Sequence, residues 1–134
     1  MKTAGTQISG PGDLAGKTVG VLDGTTYSDY LTTKTAAIVQ TYNTDLDAVP
    51  DLVSGAIDFW MTDSVTGRLA VLEGKALESS GKPLYYDDLA MALKKGEADW
   101  LALLNYTVKK MHKNGSLSAM SEKWYYGLDL TVKQ

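Results

Sequence analysis

The chain of 134 residues contains no cysteine, one histidine, one phenylalanine and three prolines. Without cysteine there can be no disulfide, thiolate metal site, iron–sulfur cluster or cysteine nucleophile. The single histidine, His112, lies in the lysine-rich run Lys109-Lys110-Met111-His112-Lys113 and reads as a solvent-facing helix residue, which argues against a zinc centre. An excess of basic residues is also missing: 13 Lys and Arg stand against 16 Asp and Glu, for a net charge of −3. That balance argues against a general nucleic-acid binder, and the Lys109, Lys110, Lys113 cluster reads as charge placed at a helix C-terminus. No apolar run approaches the ~20 residues of a membrane span. The opening residues Met1 to Gln7 lack the apolar core of a secretory signal. No Gly-Lys-Ser/Thr closes a phosphate-binding loop, no dinucleotide-binding glycine pattern occurs, and no serine sits in a Gly-x-Ser-x-Gly elbow. Internal repeats, low-complexity tracts and an obvious linker are absent as well.

What is present is a soluble-domain composition, 44% hydrophobic and 22% charged, in an alternating order of elements. Pro11-Gly12-Asp13 predicts a turn and a short helical start. Val19-Gly20-Val21-Leu22 predicts a buried strand closed by Asp23-Gly24. Thr25 and Thr26 then cap a helix with Tyr27, Tyr30 and Leu31 on one side. Ile38 to Tyr42 reads as a second strand. A helix capped by Asn43 or Thr44 follows through Leu46, Val49, Leu52 and Val53, with Pro50 expected to kink it and Gly55 to stop it. Ile57 to Met61 reads as a third strand, and Ser64 to Leu72 as a helix stopped by Gly74. Lys75 to Ser79 and Leu89 to Leu93 are read as further, weaker strands. Glu97 to Asn114 and Ser116 to about Tyr125 are read as helices. Strands separated by helices of this length predict an α/β fold with a mainly parallel sheet flanked by helices.

In such sheets ligands collect beyond the carboxyl ends of the strands, against helix N-termini. Two strand ends fit. At Leu22-Asp23-Gly24-Thr25-Thr26-Tyr27 a glycine, a helix start and threonine hydroxyls suit a carboxylate, though they equally make a glycine turn with a threonine cap. At Met61-Thr62-Asp63-Ser64 the carboxylate of Asp63 could face a cationic group, or cap the helix that follows. Side by side, an anion cradle and a carboxylate match a zwitterionic amino acid. Asp45, Asp47, Asp51, Asp87 and Asp88 read as solvated acids or helix-start charges, and Trp60, Trp100 and Trp124 read as core.

The run Asp13-Leu14-Ala15-Gly16-Lys17-Thr18-Val19-Gly20-Val21 with Gly24-Thr25-Thr26 resembles the "dLkGKkVgv…GTt" pattern of bacterial family 3 solute-binding proteins, the polar amino-acid receptors of ABC importers. Asp51-Leu52-Val53-Ser54-Gly55-Ala56-Ile57-Asp58 and Thr62-Asp63-Ser64 are similar to that family's "dLlsGriDa…tDs". Asn114-Gly115-Ser116-Leu117 and Glu122-Lys123-Trp124-Tyr125 resemble its "dGtl…ekWf". The resemblance implies one lobe of a type II periplasmic binding protein. Residues 1–84 would be the second lobe, 85–95 the return hinge crossing, and 96–134 the C-terminal helices that belong to the first lobe in the intact family. It implies a ligand carboxylate held after Gly24 and Thr25 at Thr26, an ammonium accepted by Asp63, and side-chain contacts from Asp23 and Tyr27. Tyr27 departs from the small or amide residues common at its position, so preference for a basic amino acid does not follow.

The implied partners are a polar amino acid and, for the intact receptor, an ABC permease. The implied location is periplasmic or extracellular and membrane-anchored, with no cofactor and no enzymatic activity. The matched pattern starts after the family's first-lobe segment with its carboxylate-gripping arginine, so the chain is expected to begin within a longer protein. The apolar stripes Leu101, Leu104, Val108, Met111 and Leu117, Met120, Trp124 are expected to pair with a second copy, by swapping or side by side. Two other readings stay open at this point: a non-binding lobe or sensor module that self-associates, and a fragment similar to cyclohexadienyl dehydratases, which share the scaffold.

Overall fold

The computed structural model describes residue 1 and residues 7–131; residues 2–6, most of the segment read above for a secretory signal, and residues 132–134 lie outside the described residues. The chain divides into two units, Met1–Leu84 and Tyr85–Gln134. In the first, β1 (Thr18–Leu22), α1 (Thr26–Lys34), β2 (Ile38–Tyr42), α2 (Ala48–Ser54), β3 (Phe59–Met61) and α3 (Ser64–Leu72) follow one another. The sheet order is β2-β1-β3, and both pairings are parallel. The central strand is in register with β2 from Thr18↔Ile38 to Leu22↔Tyr42, and with β3 from Val19↔Phe59 to Val21↔Met61. This is the α/β architecture with a parallel sheet that the alternation of elements predicts.

Alternation along the strands sorts the core into two clusters. Val19, Val21 and Phe59 join Ile8, Leu14 and Leu31 of α1, with Tyr27, Val39 and Met61 packed against them. Trp60 belongs to the other cluster, with Ala48, Val49 and Leu52 of α2, Ile57, Ala70 of α3, and Leu77. Trp60, Leu31, Leu52 and Ile57 are among the largest fully buried side chains; each contributes roughly 1.5–3 kcal/mol of burial. Between the two clusters the central strand carries Gly20. A Cβ there would lie 2.6 Å from Ile57 Cδ1, 2.9 Å from Tyr42 Cε2 and 3.2 Å from Ala48 Cβ, so the packing of α2 on the sheet requires its absence.

Several aspartates pin the sheet. Asp58 Oδ2 accepts the Thr18 amide at 2.8 Å, while the Asp58 amide donates to the Thr18 carbonyl at 2.9 Å, closing the start of β1 on the loop before β3. The adjacent Lys17–Asp58 pair, at 3.8 Å and about half exposed, adds less than about 1 kcal/mol. Tyr42 donates to Asp51 Oδ2 at 2.7 Å, tying β2 to α2. Burial, first, and then that carboxylate push the phenol up to about 12.

Four local expectations are corrected. Pro50 does not kink a helix: α2 starts at Ala48, which puts Pro50 in its first turn, where the amide it lacks would have had no helical partner. The residues Asp45–Asp47 before it form a separate 3-10 turn. The third strand is shorter than Ile57–Met61, because Ile57 and Asp58 bond to the Asp51 and Thr18 carbonyls instead of joining the ladder. Lys75–Ser79 is not an extended strand: within it a single bridge falls at Glu78, and just beyond it Ile8 is bridged to Gly81 with its amide bonded to the Ser80 carbonyl. Leu89–Leu93 also lacks strand structure: Leu89 is 95% exposed and Met91 65%, and β propensity without a pairing neighbour makes no ladder.

The second unit holds α4 (Ala98–Lys113) and α5 (Ser116–Trp124), separated by Gly115, whose φ of 76° suits the left-handed turn between them. Lys110, His112 and Lys113 lie in the last turn of α4, where its dipole favours positive charge. Leu104, Val108, Met111 and Leu117 are half-buried, whereas Trp100, Leu101, Leu103, Tyr106, Met120 and Trp124 are exposed. The expectation that Trp100 and Trp124 are core residues therefore fails, and only Trp60 of the three tryptophans is buried. Buried Ser121 fastens the segment after α5. Its hydroxyl donates to the Leu128 carbonyl and accepts from the Leu130 amide, both at 2.9 Å.

Replacing Gly20 by alanine should lower stability by about 1–3 kcal/mol through overpacking against Ile57 and Tyr42. Urea unfolding checks this as a lower midpoint at unchanged slope.

Candidate functional site

The carboxyl ends of β1 and β3 are neighbours, and both strands run straight into helices. Asp23 and Asp63 each follow two positions after the paired couple Val21↔Met61. The turn after β1 therefore lies beside the turn after β3, and the N-termini of α1 and α3 open at one edge of the sheet. That edge is where parallel sheets bind small ligands.

At the first turn Gly24 takes φ of 68°, a left-handed conformation that glycine adopts without strain. It lets the chain reverse from Leu22 into the cap of α1. Thr25 is that cap: its Oγ1 donates to the Leu22 carbonyl at 2.8 Å and accepts the Ser28 amide at 3.3 Å. Thr26 and Tyr27 form the first turn of α1, at the positive end of its dipole. Asp23, Gly24 and Thr26 are exposed, Thr25 is half-buried, and Tyr27 leans its half-buried ring on the Val21–Leu31 cluster.

At the second turn Asp63 caps α3 through both oxygens. Oδ1 accepts the Val65 and Thr66 amides at 2.9 Å each, and Oδ2 accepts the Thr66 hydroxyl at 2.6 Å. An ionised carboxylate has about four lone-pair directions, so these three bonds leave it acceptor capacity. The cap reading of Asp63 thus describes its local structure, and it does not exhaust the side chain.

Of the two readings of Asp45, the helix-start charge holds, since it opens the 3-10 turn Asp45–Asp47, and the solvated acid does not. Half-buried in the 3-10 turn after β2, Asp45 accepts the Trp60 indole Nε1–H on Oδ1 at 2.9 Å and the Thr62 hydroxyl on Oδ2 at 2.7 Å. Burial raises its carboxyl above the ordinary 3.8; the bonds from Thr62 and Trp60 oppose the rise, and the charge of Asp63 adds to it. Its place three residues beyond β2 puts it on the same carboxyl edge as Asp23 and Asp63, but only the fold brings Trp60 and Thr62 to it. Asp47, by contrast, does act locally, accepting the Thr44 amide at 3.1 Å.

Among the described residues no group of three or more histidines or carboxylates could hold a metal ion, and no helix is long and apolar enough to cross a membrane. A cavity of about 400 Å³ in the second unit, between Met91 and Leu101, has a mostly apolar wall and lies apart in sequence from the strand-end residues.

The chain is 37% identical over 125 residues to the L-cystine-binding protein TcyJ of Escherichia coli K12, covering 89% of this chain and 45% of that protein. It is 30% identical to the probable amino-acid-binding protein YxeM of Bacillus subtilis, covering all of this chain and 53% of the relative. Among solved structures, domain 2 of TmArgBP superposes with a TM-score of 0.51 at 33% identity, covering 55% of this chain and 79% of that one. The chain belongs to the family 3 amino-acid solute-binding proteins. The second substrate-binding domain of a putative amino-acid ABC transporter from Streptococcus pneumoniae superposes on 93% of this chain and 58% of its own length, with a TM-score of 0.72 and 26% identity. The parallel sheet and its helices are those of a periplasmic binding protein lobe. The chain spans about half the length of the curated relatives it matches. Those relatives are named as binding proteins, and no family model matches the chain.

Replacing Asp63 by alanine should cost about 1–2 kcal/mol as α3 loses its cap, whereas asparagine, an equally good cap, should cost about half a kcal/mol or less. Urea midpoints of the two variants check the difference.

Proposed function

We propose that this chain supplies one wall of the amino-acid site of a solute-binding receptor. In this reading the ligand carboxylate docks on the first turn of α1 at Thr26, after Gly24 and Thr25. Its ammonium donates to Asp63, and Asp23 and Tyr27 meet its side chain. The observation that carries the proposal is the adjacency of the two strand ends: parallel neighbours β1 and β3 deliver a helix N-terminus and a capping carboxylate to one edge. A zwitterion has one charge for each. Both contacts are charge-assisted hydrogen bonds, which are the stronger kind.

The work is binding, not catalysis. A receptor of this kind closes around its ligand, and the closed form is recognised by an ABC permease at the membrane, which places the intact receptor in the periplasm or on the outer cell surface. The names of the relatives, cystine- and amino-acid-binding, support the ligand class. Contacts from one wall without enclosure give weak affinity, because much of the ligand stays in water.

The exposed apolar side chains of α4 and α5 support a second property, self-association. Trp100, Leu101, Leu103 and Tyr106 are each more than half exposed along one helix, and Trp124 is 68% exposed on the next. A cluster of large exposed apolar side chains on two successive helices is more often covered than left wet.

Two outcomes are expected. Titration of the 134-residue chain with L-arginine, and with L-cystine up to its solubility, should move the Thr26 and Asp63 amide resonances with affinity no tighter than about millimolar; micromolar binding by calorimetry contradicts a one-walled site. Light scattering at high protein concentration should give twice the monomer mass, and a monomer mass throughout rejects self-association.

A further inference from the structure

We propose that Asp45 is a positioning residue for the amino-acid crevice, bracing the end of β3 so that Asp63 is held where the ligand needs it. This inference rests on the reading of the crevice given above. Its two acceptor oxygens are used separately: Oδ1 on the Trp60 indole, and Oδ2 on the Thr62 hydroxyl. Trp60 lies within β3 and Thr62 just beyond its last residue, Met61, so a single carboxylate grips both the strand and the residue that follows it. Trp60 is fully buried and locked in register opposite Gly20, which makes it a fixed anchor. Thr62 lies one residue past the strand, where the ladder no longer dictates the backbone. The Asp45 bond fixes that residue, and Asp63 is the next one.

The brace also joins elements that the ladder does not pair directly. β2 and β3 flank β1, so a carboxylate from the turn after β2 links the two outer strands at their carboxyl ends. Thr62 is bound by its hydroxyl, which gives the assignment a sharp chemical contrast: serine keeps the donor, and valine keeps the shape without it.

The test uses the ¹⁵N-labelled 134-residue chain and the variants Asp45→Asn, Thr62→Val and Thr62→Ser, each titrated with L-arginine and L-cystine. Fold is checked for each variant by its dispersed amide spectrum. A carboxamide has one acceptor oxygen and cannot accept on both sides. Asp45→Asn should therefore shift the Trp60 indole N–H resonance, broaden the Thr62 and Asp63 amides, and weaken binding about tenfold. Thr62→Val should weaken binding similarly with the Trp60 resonance in place, and Thr62→Ser should restore wild-type affinity. Wild-type affinity in folded Asp45→Asn, or equal loss in Thr62→Ser and Thr62→Val, overturns the proposal while leaving the crevice intact. A wild-type chain whose Thr26 and Asp63 resonances ignore both amino acids overturns the crevice reading and this proposal with it.

Discussion

Everything in the first unit depends on β1 being hydrogen-bonded along both edges. A parallel strand with partners on both sides must hide both faces, and Val19 and Val21 are buried to within 1%. The same constraint removes the side chain at Gly20, where Ile57, Tyr42 and Ala48 converge. With the middle strand fixed in two registers, the turns that leave β1 and β3 have no freedom to drift apart. The candidate crevice is thus a consequence of strand pairing before it is a matter of any ligand-facing side chain.

What can be read from the sequence divides along the range of the interactions. β1, β2, α1, α3, α4 and α5 follow from local periodicity, caps and glycine stops, all carried by residues within a few positions of each other, whereas α2 begins at Ala48 and not at the expected cap. The Asp23–Tyr27 and Thr62–Asp63 turns are legible for the same reason, as strand ends followed by caps. Leu89–Leu93 has residues that favour a strand, but a strand is a relation between two segments and the described residues give it no partner. Asp45 is illegible because its meaning lies in Trp60 and Thr62, 15 and 17 residues away, which no spacing rule connects. Trp100 and Trp124 suggest core residues because they are apolar, and apolarity alone does not say that anything covers them.

The strand-end residues carry structural duties that a list of ligand contacts would obscure. Thr25 closes the β1 turn by donating to Leu22 and starts α1 by accepting from Ser28. Asp63 starts α3 by three bonds. A group already held by its own helix loses little further freedom on meeting a ligand, so in the proposed site capping and recognition would reinforce each other.

Pro50 has an effect beyond its own turn. An α-helix beginning one turn sooner would need an amide at position 50 to bond the Leu46 carbonyl, and proline has none. The segment holding Asp45 is therefore barred from winding into α2, where its side chain would be rotated onto a different bearing. A ring at position 50, with no polar contact of its own, acts as punctuation: it decides where one winding ends and the next begins, and so which way a carboxylate five residues upstream points.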